Sequence, residues 1–204
     1  MKKVKMGLSV VLLALLAACS GGGGKKVLIM SSGKISVSED QKTITLDPGT
    51  THNEKEIDLG SGEKITLTVK SPDGSKTYDV TENGHYLLNL KTDTLVGGVV
   101  RYGNSGIPTS LSNEQVDHII DSTRQLMAGQ NASDANKTYF LPPFVIKKIT
   151  TEEGSKIVGP YNAIPRSVDV DQSGKTQEVY KFVTNKQTRE TLDDLTKQRQ
   201  KAQQ

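Results

Sequence analysis

The sequence predicts a mainly β protein, with a β-sandwich-like N-terminal domain over residues 27–103 and a mixed α+β part after it. Three observations carry this expectation. Short runs of alternating apolar and polar residues recur about every ten positions between Val27 and Arg101. Turn chemistry separates those runs. One strongly amphipathic segment with helix signals at both ends then follows, and the strands after it are repeatedly broken by proline.

The alternating runs are Ile35–Val37, Thr43–Leu46, Ile65–Val69, Thr77–Val80, Tyr86–Leu90 and Thr94–Val100. Their period of two puts one row of side chains on each face of a sheet. This predicts a core containing Ile44, Leu46, Ile65, Leu67, Val69, Leu88 and Leu90. Asp47-Pro48-Gly49, Gly60-Ser61-Gly62, Ser71-Pro72-Asp73-Gly74 and Glu82-Asn83-Gly84 read as turns. The third is the firmest, because Pro72 presets φ and Gly74 tolerates a positive one. Gly97-Gly98 inside an apolar strand predicts a bulge or a close backbone approach. Val27–Met30, first of the strands, is expected at an exposed sheet edge.

Residues 113–128 form the clearest helix. Ser112 and Gln115 make a capping box, Leu111 and Val116 a hydrophobic staple, and Gly129 a stop. Val116, Ile119, Ile120, Leu126 and Met127 share a face that is expected to cover the sheet. Beyond it, Tyr139–Ile149 is interrupted by Pro142-Pro143, so it belongs at an edge. Lys156–Val158, Ser167–Val170 and Glu178–Val183 are further strands. Thr184 and Gln187 form a second capping box, opening a polar helix anchored by Leu192 and Leu195. The expected parts are thus 27–103, a helix-plus-strand region 104–184, and a polar C-terminal helix or tail 185–204.

Before the first strand lies a segment of another kind. Lys2, Lys3 and Lys5 precede an apolar stretch from Leu8 to Leu16, then Ala17, Ala18 and Cys19. The apolar run is shorter than the roughly 20 residues that span a bilayer, and its three-part layout is that of a cleaved signal. Leu16-Ala17-Ala18-Cys19 resembles the lipobox of bacterial lipoprotein precursors. The resemblance covers the signal alone, 1–18, and implies cleavage before Cys19 and a covalent lipid on it, with fatty acylation such as palmitate. By the same resemblance, Ser20 after the cysteine implies the outer membrane in a diderm cell. Cys19 is the single cysteine, so no intramolecular disulfide forms. Residues 19–26, with Gly21–Gly24 and then Lys25-Lys26, read as a tether whose two lysines could meet anionic headgroups.

Charge narrows the function class. The chain has 26 Lys plus Arg and 23 Asp plus Glu, and three lysines leave with the signal. The mature chain of about 185 residues is then neutral, without the basic footprint of a nucleic-acid binder. Tryptophan is absent, which disfavours a carbohydrate module, although Tyr78, Tyr86 and Tyr102 remain as platforms.

Candidate chemistry is sparse. Asp169, Asp171 and Ser173, followed by Gly174, match the first half of a calcium loop. The twelfth position is Tyr180 rather than Glu, and a β-hairpin with an Asp-rich turn explains the same residues, so no metal is expected. His52, His85 and His118 are the only histidines, placed on a loop, at a strand start and on a helix, with no metal-ligand spacing. Asp93-Thr94-Leu95 and Asp121-Ser122-Thr123 resemble short bacterial O-glycosylation sites, which would place sugar on Thr94 and Ser122. No cofactor beyond the lipid and no catalytic motif is found. The leading expectation is a membrane-anchored cell-envelope lipoprotein acting as a non-catalytic binding or structural module, with an envelope protein as its partner. The alternative is an envelope hydrolase whose site forms no sequence motif.

Overall fold

In a computed structural model, the described residues are 23–100, 102, 112–168, 170 and 176–201. The signal, Cys19, Leu111, Asp169, Asp171 and Ser173 lie outside them. The protein is mainly β, with a helical C-terminal part. The first sheet is built from β1 (Lys25–Val37), β2 (Thr43–Asp58), β3 (Ile65–Ser71), β4 (Gly74–Val80), β5 (Gly84–Leu90) and β8 (Val145–Thr150), in the order β4-β3-β2-β1-β5-β8. The second is β7 (Thr138–Leu141), β6 (Leu95–Val99), β10 (Val179–Thr184) and β9 (Lys156–Val158), in the order β7-β6-β10-β9. The two sheets exchange strands across residue 103: β6 belongs to the second sheet and β8 to the first.

The first sheet curls until its edges approach. Lys76 Nζ and Tyr78 OH on β4 both donate to Phe144 O just before β8, at 2.8 and 3.1 Å, so the sheet is nearly closed. The concave side encloses one core, in which Ile29, Ile44, Leu67 and Leu88 are fully buried. Each contributes roughly 1.5–3 kcal/mol by leaving water. Of the expected core residues, Ile44, Leu46, Leu67, Val69, Leu88 and Leu90 are there, whereas Ile65 is only half-buried and stands outside it. A second core lies between the opposite face of the first sheet, represented by Leu28, Met30 and Leu87, and Tyr139, Leu141, Tyr180 and Phe182 of the second.

Residues Val27–Met30 therefore do not form an edge. β1 pairs with β2 on one side and β5 on the other, and its consecutive side chains alternate between the two cores. A continuous apolar run is what a strand buried on both faces requires. The expected tether also ends sooner than residue 26. Lys25 opens β1 fully buried, its Nζ donating to Gly62 O and, at 3.1 Å, to Asn83 Oδ1. It is thus withdrawn from any headgroup.

The Asp47-Pro48-Gly49 turn is another correction. These residues lie inside β2, where Gly33 faces Pro48 but the adjacent Ser32 faces His52. Three extra residues bulge out of β2. A Cβ at Gly33 would lie 2.2 Å from Asp47 O, so the opposing strand needs glycine there. An odd insertion inverts the alternation. Ile44 and Leu46 point into the first core, but after the bulge Ile57 does so and His52 and Glu54 take the other face.

Local signals hold well. Ser71 and Gly74 close a two-residue hairpin turn, with Gly74 at φ 129°. Gly97 and Gly98 mark close approach rather than a bulge: a Cβ at Gly97 would lie 2.1 Å from Lys181 O on β10. The capping box at Ser112 starts α1 (Asn113–Met127), and Thr184 with Gln187 starts α2 (Asn185–Lys201). α1 packs chiefly on α2 rather than on a sheet. Arg199 joins them by donating to Asp117 from Nε and Nη2, at 3.2 and 3.3 Å. Only Ile120 of the apolar face is buried, and Ile119 is 39% exposed. Ser167–Val170 is not a strand; Val170 forms an isolated antiparallel bridge with Thr176, the pairing a hairpin turn needs.

Candidate functional site

The second core is apolar in its middle and polar at its two ends. At one end the bulge in β2 sets His52 and Glu54 two residues apart on the face of Met30. Lys91, just past β5, continues the row of Leu87 and Asn89 on the same face. Lys91 Nζ lies 3.0 Å from His52 Nδ1 and donates to Ser31 O at 3.3 Å. His52 Nε2 lies 2.6 Å from Glu54 Oε1. An ammonium has no lone pair, so Nδ1 accepts from Lys91 and Nε2 carries the proton donated to Glu54. His52 is therefore on a strand rather than the expected loop, and its ring is engaged on both sides.

The remaining carboxylate oxygen, Glu54 Oε2, accepts from Asn162 Nδ2 at 2.8 Å. The Tyr161 ring stands 4.9 Å from the His52 ring, tilted by 56°. A Cβ at Gly159 would fall 1.7 Å from Glu54 Oε1, so a larger residue there would displace the carboxylate from this position. Lys181 on β10 clamps the same loop, donating from Nζ to the carbonyls of Gly159, Pro160 and Asn162 at 2.5, 3.3 and 2.6 Å. Burial pushes the amines of Lys91 and Lys181 below the usual lysine value, and Glu54 opposes the shift at both; at Lys91, Asp93 opposes it more strongly. The arrangement resembles an acid–histidine relay, but the nitrogen that would act as base already holds the Lys91 ammonium. It fastens loop 159–162 to β2.

The other polar end surrounds His85, at the start of β5 and paired across the sheet with Lys26. A cavity of about 470 Å³ opens there, lined by Gly23, Gly24, Lys26, His85, Thr151 and Glu153 among others. Burial first, and Lys26 second, hold the His85 imidazole below the usual histidine value; Glu56, Asp58 and Glu153 pull the other way. Among the described residues His85 has no hydrogen-bonding partner.

His52, His85 and His118 stay apart, and no group of three His, Cys, Asp or Glu among the described residues could hold a metal ion. Thr94 is half-buried and its carbonyl accepts from Asn185 N at 2.9 Å; Asp93 accepts from Lys186 N at 3.1 Å. These contacts place Asp93 and Thr94 at the start of α2. Ser122 Oγ donates to His118 O at 2.7 Å within α1. Neither the Lys91–His52–Glu54 chain nor Lys181 was singled out by the sequence. Their links span 39 and 19 to 22 residues and leave no local pattern. No helix among the described residues is long and apolar enough to cross a membrane. Comparison with protein-family models, curated proteins and solved structures finds no match.

Proposed function

We propose that this chain is a lipid-anchored cell-envelope protein, at the outer membrane in a diderm cell, whose domain binds an envelope protein partner without catalysis. The observation that carries the reading is where the fold begins. Lys25, six residues after Cys19, is already buried in β1, the strand shared by both cores. Six residues span at most about 20 Å. A lipid on Cys19 would therefore hold the sheets next to the headgroups. Closure of His52 on Lys91 and Glu54 supports binding over catalysis, because both imidazole nitrogens and both Glu54 oxygens are already engaged inside the protein.

The partner surface best supported is the β8 edge. Among the described residues β8 is paired only with β5, and beyond the Lys76 and Tyr78 contacts to Phe144 O its other edge is open to an extended segment. Phe144, just before β8, and Val145, its first residue, are 40% and 37% exposed. Phe144 adopts φ 58°, a conformation costly for a bulky residue, fixed by its N–H donating to Asn89 O at 2.7 Å. The β-sandwich expected for 27–103 is best read as the part where the second sheet covers β1 and β5.

Two measurements test this. The native protein should enter the detergent phase and carry acyl mass on Cys19, and Cys19→Ser should move it to the aqueous phase. A photo-crosslinker at Val145 should capture a discrete envelope protein in intact membranes, whereas one at exposed Ile119 should not. An unacylated native protein would remove the anchor. Equal capture from both positions would remove the β8 surface.

A further inference from the structure

We propose that the cavity beside Gly23 and Gly24 binds a small zwitterion of the phosphoethanolamine class, an anionic phosphate and a primary ammonium on one ligand. The choice of a phospholipid headgroup as its source rests on the lipid-anchor reading above; the chemistry of the cavity does not.

The lining divides by sign according to the fold. The sheet supplies the positive side. Lys26 on β1 and His85 on β5 are cross-strand neighbours, and both are half-buried. The turn after β8 supplies the negative side through Glu153, which is exposed and makes no hydrogen bond with another described residue. Gly23, Gly24, Gly84 and Gly154 form much of the remaining wall, with Thr151 and Asn83. At two of these glycines the wall is close-packed. A Cβ at Gly23 would lie 2.8 Å from Glu153 Oε1, and one at Gly84 would lie 2.6 Å from Thr150 O.

The balance of charge selects the ligand. Lys26 and the imidazole would hold phosphate oxygens, the first by charge and the second by N–H donation. Glu56 and Asp58 on β2 also act on His85, together with Glu153. Three carboxylates against the Lys26 ammonium, with the Lys25 ammonium already held by Gly62 O and Asn83 Oδ1, make this a poor place for a bare anion. Asp58 is partly occupied, since its Oδ1 accepts from Gly60 N at 2.9 Å. A ligand that brings its own ammonium to Glu153 removes the imbalance, and the phosphate then sits beside Lys26. A cavity of about 470 Å³ accommodates a headgroup but no folded partner. Its walls include the two glycines that lead back toward Cys19, so a chain anchored there presents this cavity to the membrane surface.

The test uses the full chain in detergent with isotope-labelled histidine. O-phosphoethanolamine is titrated and the three imidazole signals are followed. The expected result is saturable displacement of the His85 signal while His52 and His118 stay still. Inorganic phosphate and ethanolamine, each alone, should bind at least tenfold more weakly. Lys26→Ala and Glu153→Gln should each weaken binding at least fivefold; Glu153 lies on an exposed turn, so that variant keeps the fold. Reconstitution into phosphatidylethanolamine and phosphatidylcholine vesicles then distinguishes the source. Displacement in the first vesicles alone assigns the lipid headgroup, and displacement by the free compound alone assigns a soluble zwitterion. No saturable shift, equal binding of inorganic phosphate, or unchanged binding in both variants would overturn the site. Because the free-compound titration needs no acyl chain, a failed anchor and a failed site give different results.

Discussion

His52 and His85 sit at opposite ends of one sheet face, yet the fold treats them differently. His52 accepts from Lys91, donates to Glu54, and is covered by Tyr161. His85 lines a cavity and has no such partner among the described residues. Both flank the same apolar patch of Leu28, Met30 and Leu87. A polar residue at the rim of a core is structural when the fold supplies its partners, and becomes a binding group when a cavity is left in their place. The carboxylates repeat the contrast. Glu54 spends both oxygens inside the protein, whereas Glu153 spends neither on a described residue.

Breaking the apolar patch between the two ends should have the largest effect. Phe182 is fully buried in the second core, so Phe182→Ala should lower unfolding free energy by about 3–5 kcal/mol in a denaturant titration. A smaller loss would mean that the two sheets are weakly joined and the two ends independent. Removing one carboxylate from each end sharpens the comparison. Glu54→Ala leaves the His52 Nε2–H and Asn162 without an acceptor and should cost about 1–3 kcal/mol. Glu153→Ala should stay within about 0.5 kcal/mol, as exposed substitutions do. Equal costs would erase the distinction.

The smallest effect is a pH slope. His85 has a folded pKa below its ordinary value of about 6.5. In that window the unfolded chain binds a proton that the folded chain does not. Stability should therefore be fully present above about 6.5 and decline as pH falls toward the lowered folded value. His85→Asn should flatten that part of the melting-temperature profile. A profile unchanged by the substitution would show that His85 is as exposed as an ordinary surface histidine.

What could be read from the chain was local. Both capping boxes, the Ser71–Gly74 hairpin and the Gly97-Gly98 approach involve residues a few positions apart, or a residue type with one steric meaning. What could not be read depended on distant pairing. Val27–Met30 looks like an edge because it comes first, and only parallel pairing with β5 makes it central. Pro48-Gly49 looks like a turn because nothing nearby says that β2 resumes after three extra residues. That insertion decides which way His52 points, so the polar network stayed hidden with it. Asn162 and Glu54 are 108 residues apart, and no periodicity links them. The apolar face of α1 was legible, but not that α2 would be its main cover.

The contrast between the two histidines is tested most directly by nitrogen-15 spectroscopy of the imidazole rings in the full chain at neutral pH. His52 should show a single tautomer, protonated at Nε2 and bare at Nδ1, with its N–H proton exchanging slowly because Glu54 holds it. The His85 N–H should exchange rapidly with solvent. Fast exchange at His52, or a slowly exchanging proton at His85, would contradict the division of the second core into a closed end and an open one.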